Sequence, residues 1–362
     1  MSKWPNITPS PMSVAVTAPL AEDKKVSVLS IPSRGGCRDA RAKKTLHCSP
    51  PLALAPMVGL SHSALRLLIL ELGGVGLFFS EMLSVTRLPI ENQTVSPFLC
   101  RTAAEYPFFY QIFVAPGQDI LPAVARLHSL DAQGIDLNLG CPAPALRKQG
   151  AGSFMAPDFI KETVACLRKA TALPISAKIR LGSKLDEKSL VSFCRMLEGE
   201  GVDLLTVHGR LQGEKFCRKA RWDWIGKVKA AVKVPVFANG GIFTVADASK
   251  CLDQSGADGL MIGRGAVSRP WLFADIARSV YGLDIGPVPS KRAIYLRFIG
   301  LLIERFLPEK RLGRLKQFSH YYAQNFRFGH HLASAIQNSS SLEEASERAV
   351  AFFDALDRNA SS

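Results

Sequence analysis

Eight short apolar runs, most of them closing on a polar or glycine-bearing end, constrain this chain more than any other feature. They are Leu52–Ala55, Val75–Glu81, Phe108–Val114, Ile135–Leu139, Ile175–Arg180, Leu204–His208, Val236–Asn239 and Gly259–Ile262. Continuous apolar runs read as strands buried on both faces. Longer stretches with helical periodicity lie between them: Ser61–Leu72, Ile120–Ala132, Pro157–Ala170, Lys188–Glu198, Trp222–Ala231 and Val245–Ser255. Eight strand–helix units over roughly 220 residues predict an α/β fold, a (β/α)8 TIM barrel. An open doubly wound sheet is the alternative. It usually needs fewer strands and a Gly-x-Gly-x-x-Gly turn after the first one, which the sequence lacks.

The 362 residues exceed what the barrel needs. Residues 1–47 are rich in Ser, Pro, Lys and Arg without a sustained period, and read as a disordered basic extension. A transit peptide, a solvated tail and a misplaced start codon all fit that composition. The barrel is expected over residues 48–285. A small C-terminal helical domain is expected over 286–362, with helices at Arg292–Phe306, Gly313–Asn325 and Ser334–Gln337 continuing into Leu342–Leu356. Pro287, Pro289 and Pro308 mark its breaks.

Charge is concentrated in that tail. The whole chain carries 45 Lys+Arg against 31 Asp+Glu, a net +14. Between Lys291 and His331 nine basic residues face only Glu304 and Glu309, leaving seven positive charges in excess. Aromatics are interleaved: Phe318, Tyr321, Tyr322, Phe326 and Phe328. This is a footprint for a nucleic acid, or a plain bundle with an aromatic core and a solvated face. Eight cysteines without a C-x-x-C pair or a zinc-type His/Cys cluster predict mostly buried free thiols in a reducing, cytoplasmic setting, with no metal. No apolar window is long enough for a membrane helix. The chain is expected to be a monomer.

Barrel enzymes place their chemistry at the C-terminal ends of the strands. Here those ends read Pro56-Met57, Glu81-Met82, Gln111, Asn138, Lys178, His208, Asn239-Gly240-Gly241 and Gly263-Arg264. Glycines after strands seven and eight let backbone N–H groups approach a phosphate, and Arg264 adds charge. Lacking an extended nucleotide fingerprint, the pattern fits a mononucleotide cofactor better than a dinucleotide. Lys178 suits an electron-rich ring such as a reduced flavin, a Schiff base, or a lysine snorkelling at the rim. Gln111 and Asn138 suit the donor–acceptor edge of a flat heterocycle. Cys141 sits in a rigid Gly-Cys-Pro loop that presents a thiol as nucleophile or general acid.

Several motifs together resemble the tRNA-dihydrouridine synthase family. They are Ala55-Pro-Met57 with Ser80-Glu-Met82, Asp136-Leu-Asn138-Leu-Gly-Cys141-Pro with Gly150-Ala-Gly152-Ser, Lys178-Ile-Arg180-Leu-Gly182, Thr206-Val-His208-Gly-Arg210, Asn239-Gly-Gly-Ile242 and Met261-Ile-Gly263-Arg264-Gly-Ala266. The match runs from about residue 50 to 275, and the tail resembles the family's helical tRNA-binding domain more loosely. The resemblance implies FMN held by Pro56, Met57, Val58, Gln111, Lys178, His208, Asn239, Gly240, Gly241, Gly263 and Arg264. It implies NADPH as reductant, or NAD(P)H more broadly, and uridines of tRNA as substrate. Cys141 is then the proton donor, with Asn138 and Arg180 near the substrate and Arg311, Arg314 and Lys316 on the tRNA backbone. Hydride would pass to uracil C6 and a proton to C5, on a base flipped out of its stack.

Two positions depart from the family pattern: Leu211 stands where Thr is usual, and Gly241 where Asp is common. The N-terminal extension has no counterpart. An FMN oxidoreductase of free pyrimidines, similar to dihydroorotate dehydrogenase, shares fold and cofactor but does not require the basic tail. An inactive tRNA-binding protein would not require Cys141 or Lys178.

Overall fold

The computed structural model describes residues 28–32, 45–93 and 96–360, with side chains to 358. Two short strands come first, β1 (Leu29–Ile31) and β2 (Leu46–Cys48), paired antiparallel. The barrel strands follow: β3 (Leu52–Leu54), β4 (Phe78–Phe79), the short β5 (Leu83–Ser84), β6 (Phe108–Phe113), β7 (Gly134–Leu139), β8 (Ile175–Arg180), β9 (Leu204–His208), β10 (Val236–Asn239) and β11 (Gly259–Ile262). Every neighbour in the order β3-β11-β10-β9-β8-β7-β6-β4 is parallel, and β5 pairs with the upper end of β6. A parallel bridge between Ala53 and Leu77 closes the circle, with Leu54 N donating to Leu77 O at 3.1 Å. All eight predicted runs are therefore strands of one barrel.

Register explains what fills it. Paired residues share a face, so Gln111, Asp136 and Ser176 point the same way, as do Asn138 and Lys178. Phe79, Phe109, Leu204, Phe237 and Met261 share a core with Ile31, Leu46 and Cys48 of the β1–β2 pair. Glycine is required in two partners: a Cβ on Gly134 would come within 2.3 Å of the Phe109 ring, and one on Gly259 within 2.5 Å of Phe237. The interior thus runs from an aromatic floor through a polar layer to an open mouth.

Helices α1 (Ser63–Leu72), α2 (Leu121–Ser129), α3 (Pro144–Lys148), α4 (Pro157–Ala170), α5 (Glu187–Gly199), α6 (Trp222–Ala231), α7 (Val245–Ser255), α8 (Arg264–Ser268) and α9 (Leu272–Tyr281) accompany the strands. The tail folds as α10 (Lys291–Arg305), α11 (Pro308–Tyr322), α12 (Gly329–Gln337) and α13 (Leu342–Ala360). Its interior is aromatic: Phe298 and Phe318 stack at 3.8 Å, Phe318 and Tyr322 at 5.0 Å, and Phe326 meets Phe353 at 5.7 Å. Arg297 Nη2 on α10 reaches Glu71 on α1 at 2.6 Å, and Asn325 Nδ2 donates to Ser268 O at 2.6 Å, so tail and barrel share a bonded interface.

Three expectations change. The break at Pro308 is present, but the next helix, α11, begins at that proline instead of at Gly313, because a missing N–H costs nothing there. The last helix divides between Gln337 and Leu342. Ser340 and Ser341 there bond Glu344, which starts α13 afresh (Ser340 N to Glu344 Oε2 2.7 Å, Glu344 N to Ser341 Oγ 3.1 Å). Finally, the disordered extension does not reach residue 47: Ile31 and Cys48 are fully buried beneath the barrel floor. Residues 1–27 and 33–44 of that expectation lie outside the described residues.

All seven described cysteines are free thiols. Cys48, Cys194 and Cys251 are buried, and burial pushes each up to about 12. Cys217 is exposed, so burial is less general than the composition implied. Among the described residues no helix is long and apolar enough to cross a membrane.

Candidate active site

The strand ends converge on one cavity of about 310 Å³, within the range of small-molecule sites. Its wall contains Pro56, Met57 and Val58 after β3, Gln111 on β6, Asn138 on β7 and Cys141 just beyond it. Lys178 and Arg180 come from β8, His208 from β9, Asn239, Gly240 and Gly241 from the end of β10, and Gly263 and Arg264 from the end of β11. Every barrel residue expected to hold the cofactor, meet the substrate or donate the proton lies on this cavity. Glu81, also at a strand end, serves the wall instead, its carboxylate accepting from Gly59 N at 2.7 Å.

The Cys141 loop is tied from both sides. Its N–H donates to Asn138 Oδ1 at 3.0 Å, and its carbonyl accepts from Ser153 N at 3.2 Å and Ser153 Oγ at 3.1 Å. Gly152 holds a positive φ of 64°, and a Cβ there would approach the Cys141 carbonyl to 2.8 Å. The Gly150-Ala-Gly152 turn therefore packs the loop closely.

The cavity is cationic around His208. Lys178, Arg180, Arg210 and Arg264 gather around His208. Burial first, then these neighbouring charges, hold His208 well below its usual value, so it is neutral. Arg210 Nη1 lies 3.0 Å from His208 Nε2. Guanidinium only donates, so that nitrogen accepts and the ring proton sits on Nδ1. Burial, then Arg180, lowers Lys178 to about 8, while Asp136 and Cys141 work the other way. A Cβ on Gly240, whose φ is 107°, would sit 2.5 Å from the His208 ring. Glycine lets this loop close over the histidine, and Trp222 Nε1 pins its carbonyl at 2.8 Å.

Sequence reasoning gave no role to Arg210, Phe216 or Tyr321, all of them in the wall. Arg210 stood in a quoted motif, yet it organises the next loop, donating to Arg218 O at 2.7 Å and Phe216 O at 3.1 Å. Phe216, half-exposed, stacks 6.1 Å from His208, with the Arg264 guanidinium 4.4 Å above its ring. Tyr321 comes from α11 and lines the same cavity. Nothing local in the sequence marks Phe216 or Tyr321, because the long loop and the tail reach the mouth only through the fold.

The tail residues divide. Arg311 Nε donates to Phe306 O at 2.7 Å and Arg314 Nη1 to Lys310 O at 2.8 Å, so both serve the α10–α11 corner. Lys316 lines a groove with Gln317, His320, Ala333 and Gln337. Val58, Leu60 and Tyr321 border both this groove and the mouth cavity.

Comparison with known proteins agrees with this geometry. The family model described as Dihydrouridine synthase (Dus) matches residues 53–357. The chain is 35% identical over 282 residues to the tRNA-dihydrouridine(16) synthase of Pseudomonas putida, covering 74% of this chain and 86% of that protein. It is 33% identical over 320 residues to tRNA-dihydrouridine synthase B of Pectobacterium carotovorum, covering 84% and 96%. A probable tRNA-dihydrouridine synthase 1 of Synechocystis is 33% identical over 224 residues, 61% of this chain and 63% of that one. With a family match spanning barrel and tail, this chain belongs to the dihydrouridine synthase family.

Proposed function

We propose that this chain is a tRNA-dihydrouridine synthase that reduces the C5=C6 bond of uridines in tRNA. The observation that carries the reading is one cavity lined both by a constrained thiol and by a cationic, glycine-bearing recess. FMN fits it: the phosphate suits Arg210, Arg264 and the Gly240–Gly241 backbone, and the ring edge suits Gln111 and Lys178. A bound FMN, recharged by NAD(P)H, would supply the hydride that uracil C6 receives. Cys141 holds the proton destined for C5, and Asn138 steadies the loop that carries it. Neutral His208 cannot compete as an acid there.

The tail is the tRNA-binding element in this reading. The groove bordered by Lys316 and His320 runs into the mouth past Val58 and Tyr321, a route for a base extruded from its stack. The charge count overstates the grip. Lys291, Arg292, Arg297, Arg305, Arg311 and Arg314 all donate hydrogen bonds within the protein. A monomer working on tRNA in the cytoplasm completes the reading.

The test is to incubate purified protein with NADPH and unmodified tRNA and map dihydrouridine by mass spectrometry. Dihydrouridine at defined positions supports the proposal. A colourless protein that neither takes up FMN nor modifies tRNA overturns it.

A further inference from the structure

Asp136 is a carboxylate in the middle of an apolar barrel strand, fully buried, and the proposed chemistry leaves it unused. Burying a charge is costly unless it is paired or bonded. Its bonds are specific. Ser176 Oγ donates to Oδ1 at 2.5 Å and Gln111 Nε2 donates to Oδ2 at 2.7 Å. Gln111 Oε1 in turn accepts from Asn138 Nδ2 at 2.9 Å, and Asn138 Oδ1 accepts from Cys141 N at 3.0 Å and Gly140 N at 3.4 Å.

The chain has one polarity, dictated from its two ends. A carboxylate only accepts, so Gln111 must turn its NH₂ toward Asp136 and its oxygen toward Asn138. A backbone N–H only donates, so Asn138 must turn its oxygen toward Cys141. Each amide is set by a group that cannot reverse, and a flip of either puts donor against donor or acceptor against acceptor. The same setting decides which atoms Gln111 shows to the cavity. We propose that Asp136 is a positioning residue: through Gln111 and Asn138 it fixes the facing of two side-chain amides, and thereby the loop that carries Cys141.

The alternative role is purely electrostatic, a countercharge for Lys178, the charged neighbour that faces Asp136. Substitution separates the two. Asp136→Ala removes the acceptor and the charge together. Asp136→Asn removes the charge but keeps one oxygen for Gln111, while the Ser176 hydroxyl turns to accept from the new amide. A second pair guards against an alanine variant that fails to fold. Gln111→Glu sets two carboxylates face to face. Adding Asp136→Asn restores a donor between them, while the carboxylate introduced at position 111 still accepts from Asn138.

The readout is site-resolved alkylation of Cys141 by iodoacetamide in FMN-free protein, followed by mass spectrometry, with FMN affinity measured alongside. Alkylation does not depend on the proposed function, so its failure is distinct from failure of that reading; only the FMN arm rests on it. We expect Asp136→Ala and Gln111→Glu to change the Cys141 rate about tenfold, the size of one lost buried hydrogen bond. Asp136→Asn and the double variant should lie near wild type. FMN affinity should weaken in Asp136→Ala and recover in Asp136→Asn. Equal damage from Asp136→Asn and Asp136→Ala overturns the proposal in favour of a countercharge, and no rescue in the double variant overturns it as well.

Discussion

The guanidinium of Arg314 stacks 4.1 Å over the ring of Phe306, at the corner where α10 gives way to α11. Burial lowers its pKa, which the buried Glu81 carboxylate partly offsets. Arg314→Glu should therefore act first on stability, lowering Tm and loosening the tail. Lys316→Glu, on the groove, should leave Tm within a degree or so yet raise KM for tRNA. It should also lower the salt slope of binding by about one unit. Thermal melts paired with salt-dependent tRNA binding separate the two. Equal melting temperatures with equal loss of binding would return Arg314 to the RNA surface.

Cys141→Ala removes only the thiol and leaves the glycines and cations that would hold FMN, so FMN binding and flavin reduction by NADPH should persist. Dihydrouridine formation should fall by about 10²- to 10⁴-fold, the usual worth of a general acid. Single-turnover reduction of tRNA by pre-reduced protein measures the step directly. Wild-type turnover would remove the thiol from the chemistry.

Lys178 ties cofactor affinity to pH. Its folded value of about 8 lies below the ordinary lysine value. The empty site therefore loses this charge as pH rises through 8, while a bound anion favours the protonated form and moves the titration upward. FMN affinity should be level below pH 7 and weaken above 8, by at most about tenfold per pH unit. Fluorescence titration of FMN across pH 6 to 9.5 checks this, and Lys178→Arg should flatten the decline. The same shift makes charged Lys178 a stability cost in the empty protein. That cost is present below pH 8 and relieved as pH rises from there toward the unfolded-state value.

Ile31 is buried under the barrel floor against Phe109 and Phe237 in one core. Ile31→Ala should cost about 2–5 kcal/mol, as large-to-small changes in packed cores do. A chemical denaturation curve measures it. Deleting residues 1–45 takes β1 with it and should lower Tm by several degrees. Unchanged melting would show β1 to be dispensable.

The barrel was legible because parallel strands are buried on both faces, so Ile175–Arg180 and Leu204–His208 carry no solvent-facing alternation to confuse them. Its mouth was legible because Asn138 and His208 interrupt apolar runs at or beside the strand ends, and Gln111 does so within β6. The β1–β2 pair was not. Three-residue strands are too short for periodicity, and Leu29–Ile31 finds its partner Leu46–Cys48 only well along the chain. A count of arginines likewise records charge without partners, which is why Arg311 and Arg314 read as RNA contacts and turn out to brace a helix corner. Asp136 was visible as a lone acid in an apolar strand, but its purpose depends on Gln111, which only the register brings alongside.

Because Tyr321 of α11 stands in the wall of the same chamber as Cys141, the tail is no detachable handle. A chimera joined at Pro287, carrying the helices of another family member, would exchange part of the chamber's lining along with its grip on RNA. Selection on where the RNA lies and selection on what enters the chamber then act on one helix, and the two properties are bound to drift together.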